Sequence, residues 1–294
     1  MEFRSLEELM KNNTMSLGFP WNDNQIVEET YRKDNYKIIN TKAKNNRIVV
    51  FCSGNGLYYP NTEEEFIKVV VEQDRYEWMN LASNPLIRKH YSKIIFIRDI
   101  YKQWYVIGIN RQIDSIDKLA KFLEKECGEC EVTICGNSAG GYVAVLLGTM
   151  IKADKIIDIS GQYNLNMETD AGPLIDKYRI DDRTKYYDLN EIINGNMKNI
   201  YYFYPGKCEN DIKQNEAVKT KKINRFSFDE TRHGITMRGI CYIYILTKSR
   251  QELDRLCDIY KGQLIEEEVF YKRVVPWYIR ILYSVIKKKK KLRY

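Results

Sequence analysis

The sequence predicts an α/β domain built around a mostly parallel sheet. Short apolar, β-branched runs recur along the 294 residues, helix-length stretches separate them, and one run leads into a glycine-flanked serine followed by a helical segment. Seven runs read as strands: Tyr36 to Ile39, Arg47 to Cys52, Lys93 to Arg98, Val132 to Cys135, Lys155 to Ser160, Asn199 to Tyr204 and Arg225 to Phe228. The first two flank Lys44-Asn45-Asn46, a polar turn suited to a hairpin. Later runs are nearly continuous in Ile and Val, as expected of strands covered on both faces. Ile113 to Glu126 and Gly141 to Lys152 have helical period and length. Strand–helix–strand alternation then argues for parallel pairing through crossovers.

Composition bounds the rest. The length suits one large α/β domain, and a 44% hydrophobic fraction supplies a real core. The opening MEFRSLEELM carries acids and no long apolar run, so no secretory leader is expected. No apolar stretch is long enough to span a bilayer. Seven cysteines, an odd number, fit reduced thiols and a cytoplasmic location. Net charge is +7, but residues 271–294 hold nine Lys and Arg and no acid, leaving 38 basic against 40 acidic residues elsewhere. The body is therefore near neutral, and nucleic acid is not an expected partner. Residues 1–265 are expected to form the α/β domain, with a polar, Tyr-rich insertion at about 162–197 positioned to cover a site. Residues 266–294 form a basic amphipathic tail.

Chemistry concentrates at Gly136-Asn137-Ser138-Ala139-Gly140, which is G-x-S-x-G placed between Val132-Thr133-Ile134-Cys135 and the helical Tyr142 to Met150. A serine there must occupy a strained turn in which flanking Cβ atoms would collide, and the turn raises its hydroxyl at a helix N-terminus. The Ala139 N–H is then an oxyanion donor. The glycine spacing does not fit a dinucleotide fingerprint, and no Lys-Ser/Thr follows to make a Walker A loop.

A serine nucleophile needs a base, and there are two histidines. His90 precedes a strand ahead of the serine. His233 follows the last strand, beside Gly234, and is the expected base. The acid should follow the preceding strand, where Asp211 is the candidate, with Glu209 and Asp229 as neighbours that compete for the role.

The chain order Ser138, Asp211, His233, each after an expected strand, resembles the α/β-hydrolase superfamily over about residues 36–250, and loosely its members associated with bacterial surface polysaccharide. The resemblance implies an eight-stranded sheet with the site at the strands' C-terminal edge. It also implies a second oxyanion donor after the third family strand, here in Cys52-Ser53-Gly54-Asn55-Gly56, with Gly54 and Asn55 as candidates. The implied activity is acyl-ester cleavage or transfer on a small-molecule or carbohydrate ester, without cofactor or metal. An O-acyltransferase using the same triad and a non-catalytic assembly protein of the same fold are the alternatives.

Other signals weigh less. Cys127-Gly128-Glu129-Cys130 ends a helix instead of opening one, and reads as a turn. Arg98 to Tyr105 follows a strand on the serine's edge and either lines a pocket or packs beneath a loop. The tail, Val274 to Ile286 followed by five lysines, is either an interfacial membrane segment facing anionic lipid at the inner surface or a docked helix.

Overall fold

Eight strands form one sheet in the order β1-β3-β2-β4-β5-β6-β7-β8. The strands are β1 (Tyr36–Asn40), β2 (Arg47–Cys52), β3 (Lys93–Ile97), β4 (Glu131–Asn137), β5 (Lys155–Ile159), β6 (Ile200–Pro205), β7 (Asn224–Phe228) and β8 (Leu264–Ile265). The computed structural model describes residues 24–167, 185–193, 198–220 and 222–283. β1 alone pairs antiparallel, and it does so with β3; every other pair is parallel. This is the eight-stranded, largely parallel sheet that the resemblance implied.

The expected β1–β2 hairpin does not form. β3 lies between the two strands, pairing Phe96 with Lys37 on one side and with Phe51 on the other. The reason is burial. β3 is apolar on both faces and belongs inside, whereas β1 is only half-buried along its length and suits an edge. The Lys44-Asn45-Asn46 turn connects strands that are not neighbours.

Alternation along each strand builds a core on both faces. Val50, Cys52, Ile95 and Ile97 point into one cluster with α5 (Ile116–Cys127) and α6 (Ala139–Met150). Val49, Phe51, Ile94 and Phe96 point into the other. That second layer receives Ile87 from α4 (Pro85–His90), Leu246 from α8 (Gly239–Thr247), Leu253 from α9 (Arg250–Tyr260) and Phe270 from α10 (Glu267–Val274). Further α-helices among the described residues are α1 (Gln25–Tyr31), α2 (Glu63–Phe66), α3 (Met79–Ala82) and α7 (Glu209–Ala217). Lys155, buried at the start of β5, donates to the carbonyls of Leu246 and Lys248 at 2.7 Å each, so a cation closes the C-terminus of α8. Burial draws its pKa down to about 8.

Two peripheral segments bury side chains against the body. The flanks of the 162–197 insertion pack into the body: Tyr163, Leu165, Tyr187 and Leu189 are buried, and Asn164 bridges to Asp188. The remainder, 168–184 and 194–197, lies outside the described residues. In the tail, Phe270, Val274 and Val275 are buried, whereas Val269 is exposed. Cys130 N–H closes a turn onto Cys127 O at 3.2 Å, at the edge opposite Ser138, and both cysteines are free thiols.

Candidate active site

Parallel pairing puts the segments after β2, β4, β6 and β7 at one edge of the sheet, and the expected site residues come from those four segments. Ser138 stands between β4 and α6 at φ 54, ψ −122, a backbone conformation disfavoured for any residue bearing a Cβ. The glycines around it are sterically required. A Cβ on Gly136 would fall 1.9 Å from Gly140 O, and one on Gly140 would fall 2.4 Å from Cys52 O. The second contact presses the turn against the β2 loop. Ala139 opens α6, so its N–H has no partner within the helix.

His233 reaches this turn from the segment after β7. Its Nε2 lies 2.9 Å from Ser138 Oγ, and its Nδ1 lies 3.0 and 3.2 Å from the two Asp211 oxygens. With the Nδ1–H donated to Asp211, Nε2 is left to accept from the serine hydroxyl. The His233 side chain is 44% exposed, whereas that of Asp211 is 3% exposed. Gly234, beside the ring, adopts φ +91. Asp211 was expected in a loop; it sits instead in the first turn of α7, which fixes its direction more firmly. The competing acids are engaged elsewhere. Glu209 pairs with Lys213 at 2.7 Å and Asp229 pairs with Lys207. His90 lies on α4 beyond the opposite edge, where burial pushes its pKa down to about 4.

The loop after β2 divides the two remaining candidates. Gly54 N–H donates to Glu77 Oε2 at 2.6 Å, while Glu77 N–H donates to Ser53 Oγ at 3.2 Å. Gly54 is thus clamped by a carboxylate. Asn55 opens the short 3₁₀ turn Asn55–Leu57, where a backbone N–H has no partner within the turn. Gly54 itself leans on the serine turn, since its Cβ would fall 2.4 Å from Asn137 O. Burial raises the Glu77 pKa and the Gly54 hydrogen bond opposes it.

Sequence reasoning did not find Glu77 or Trp78. Trp78 adopts φ 70, donates its indole N–H to Cys52 O at 3.3 Å and packs edge-on against Tyr242. With Asn137, Glu230, Arg232, His233 and Tyr242, it lines a cleft of about 340 Å³. The Arg98–Tyr105 segment packs beneath the β2 loop. Tyr105 OH donates to Ser53 O at 2.7 Å, and Trp104 Nε1–H donates to Gln162 at 3.0 Å, both rings being buried. Asp99 anchors that segment by accepting from the N–H groups of Tyr101, Gln103 and Tyr105, and its burial lifts its pKa to about 6.

Behind the site lies Asp158 on β5, with no exposed surface and its pKa raised to about 7 by burial. Its Oδ1 accepts Gly161 N–H at 2.9 Å. The Tyr163 hydroxyl interacts with the Asp158 carboxyl, and the hydroxyls of Ser160 and Tyr202 are buried close by.

No protein-family model matches the sequence, and no curated protein matches it significantly. Solved structures are similar in fold. The capsule O-acetyltransferase of Neisseria meningitidis serogroup A is 12% identical, with 77% of this chain covering 92% of that one at a TM-score of 0.49. An α/β hydrolase enzyme from a lagoon-sediment metagenome is 13% identical, covering 78% and 96%, at 0.43. A hormone-sensitive lipase from a metagenome library is 11% identical, covering 89% and 99%, at 0.39.

Proposed function

We propose that this protein is a serine acyl hydrolase acting on an ester through Ser138, His233 and Asp211. The observation that carries the reading is the continuous chain of contacts from Ser138 Oγ to His233 Nε2 at 2.9 Å and from His233 Nδ1 to Asp211 at 3.0 Å, ending on a serine in a strained turn. Ser138 Oγ attacks the ester carbonyl as its proton passes to His233 Nε2. Asp211 holds the ring and stabilises the imidazolium. The tetrahedral oxyanion accepts from the N–H groups of Ala139 and Asn55. Collapse expels the alkoxide, which takes the proton from His233 and leaves an acyl-serine. Water, deprotonated by His233, attacks that ester, and release of the carboxylic acid restores the serine.

The exposure of His233 favours hydrolysis, because water reaches the base directly. Transfer to an acceptor hydroxyl is the second reading, and it requires the acceptor to fill the cleft and displace that water. The cleft sets the apolar rings of Trp78 and Tyr242 beside Glu230 and Arg232, a mixture suited to a hydroxyl-bearing carbohydrate ester.

Labelling with a fluorophosphonate probe tests the chemistry. The wild type should be labelled once per chain, and Ser138→Ala should lose both the label and p-nitrophenyl acetate hydrolysis by about 10⁴-fold or more. Folded wild-type protein that takes no label would make the chain a non-catalytic binding protein of this fold.

A further inference from the structure

The segment after α10 exposes an apolar face. Residues 277–283 are helical, and Trp277, Tyr278, Ile281 and Leu282 are 66%, 57%, 56% and 55% exposed. At 3.6 residues per turn these four lie on one side, while Ile279 points the other way and packs against the sheet's second core. The segment therefore packs Ile279 on the body and turns its largest apolar groups outward. Isolated exposed apolar residues are ordinary, but four within six positions form a patch.

Charge identifies what would cover it. Residues 271–294 carry nine Lys and Arg with no acid, five of them in the run Lys287 to Lys291 that follows the patch in the chain. A second copy would bring two such segments together, nine positive charges against nine. A soluble polyanion would satisfy the lysines and leave the aromatic and aliphatic groups in water. An anionic bilayer surface satisfies both, because its headgroups attract the lysines and its interface accepts Trp, Tyr, Ile and Leu side chains. No helix among the described residues is long and apolar enough to cross a membrane.

We propose that the C-terminal segment beginning at Trp277 docks the protein on an anionic lipid bilayer. The docking requires the apolar face and the basic run together, and it is independent of the chemistry at Ser138.

Vesicle flotation of the full chain tests this. It should float with phosphatidylcholine/phosphatidylglycerol vesicles and stay at the bottom with phosphatidylcholine alone, and binding should fall about tenfold or more when salt is raised to screen exposed charges. Two variants separate the contributions: Trp277→Ser with Leu282→Ser keeps every charge, and Lys287–Lys291 changed to Gln keeps the apolar face. Because the substituted side chains are exposed or follow the last described helix, both variants should unfold at the wild-type temperature. Each should lose about tenfold or more of the bound fraction. Wild-type protein that ignores anionic vesicles would overturn the proposal. So would a Trp277→Ser/Leu282→Ser variant that floats like wild type, which would mean that charge alone suffices. A wild-type dimer by light scattering that this variant dissolves would assign the face to self-association instead.

Discussion

Replacing Asn55 by proline deletes one backbone N–H and leaves the surrounding fold intact, which makes it a direct test of where the oxyanion sits. Gly54 has φ −86 and ψ −177, the extended conformation that a residue preceding proline adopts. Asn55 is the first residue of its 3₁₀ turn, a position where the ring's fixed φ is suitable and the missing N–H breaks no helical bond. The Gly54–Glu77 bond that shapes the loop is untouched. Loss of one oxyanion donor costs about 3 kcal/mol of transition-state stabilisation, so kcat should fall by about 10²–10³ while KM changes little. Asn55→Ala is the control: it removes the same side chain but keeps the N–H, and should retain activity within a few-fold. The assay is steady-state p-nitrophenyl acetate hydrolysis beside thermal unfolding of each variant. If Asn55→Pro unfolds at the wild-type temperature and keeps wild-type kcat, the donor is not Asn55. Equal losses in the proline and alanine variants would point to the side chain and defeat the reasoning as well.

Two other perturbations read the fold beneath the site. Asp158 holds its proton up to about pH 7 in the fold and only to about 4 when unfolded, so its contribution to stability is full below about pH 4 and is lost as pH rises towards 7. Ionisation of this buried carboxyl costs about 4 kcal/mol, and urea unfolding should show Asp158→Asn gaining on the wild type between pH 5 and pH 8; parallel pH profiles would defeat the assignment. Gly136→Ala places a Cβ 1.9 Å from Gly140 O, where only backbone movement relieves it, and should cost about 3 kcal/mol or more, whereas Gly239→Ala meets nothing within 4 Å at the start of α8 and should be neutral or slightly stabilising in a thermal melt.

What was legible from sequence is what local chemistry dictates. The turn at Ser138 could be read because its steric demand falls on residues two positions either side, so its signature is contiguous. His233 could be singled out because two imidazoles were available and one followed the last strand. Asp211 was assigned by strand order, but its helical setting was missed, because the polar run Glu209-Asn210-Asp211 reads equally as loop or first turn. The hairpin expectation failed at the same boundary. A turn signal is local, but which strand occupies the edge depends on the burial of β3 relative to β1, and that is settled by all the strands together. Glu77 was illegible for a stronger reason: it lies between helical segments, carries no motif, and acquires its place only when the β2 loop folds onto it. Whether the apolar face at residues 277–283 is covered also exceeds what periodicity can say, since the same pattern serves a docked helix and an interfacial one.

The distribution of unfavourable features separates the two edges of the sheet. At the edge opposite Ser138, the buried cation Lys155 is satisfied by two carbonyls and its presence is explained by closing α8. At the Ser138 edge, groups that cost stability accumulate. Ser138 and Ser160 both adopt positive φ, and the two turns are joined by Ser138 N–H donating to Ile159 O at 2.8 Å. Gly141 and Gly161 touch so closely that a Cβ on Gly161 would fall 2.7 Å from Gly141 C. Under that contact Asp158 is fully buried against the Tyr163 hydroxyl, its pKa raised by burial, and the Tyr202 ring packs on Tyr163. A turn needed only to join a strand to a helix could relax by admitting a different residue at Ser138. Here it is braced from below by β5 and from the side by the β2 loop, so that strain at one hydroxyl is borne by three strands. Backbone held against its local preference by this much surrounding structure is the arrangement expected where position, and not stability, is what the residue supplies.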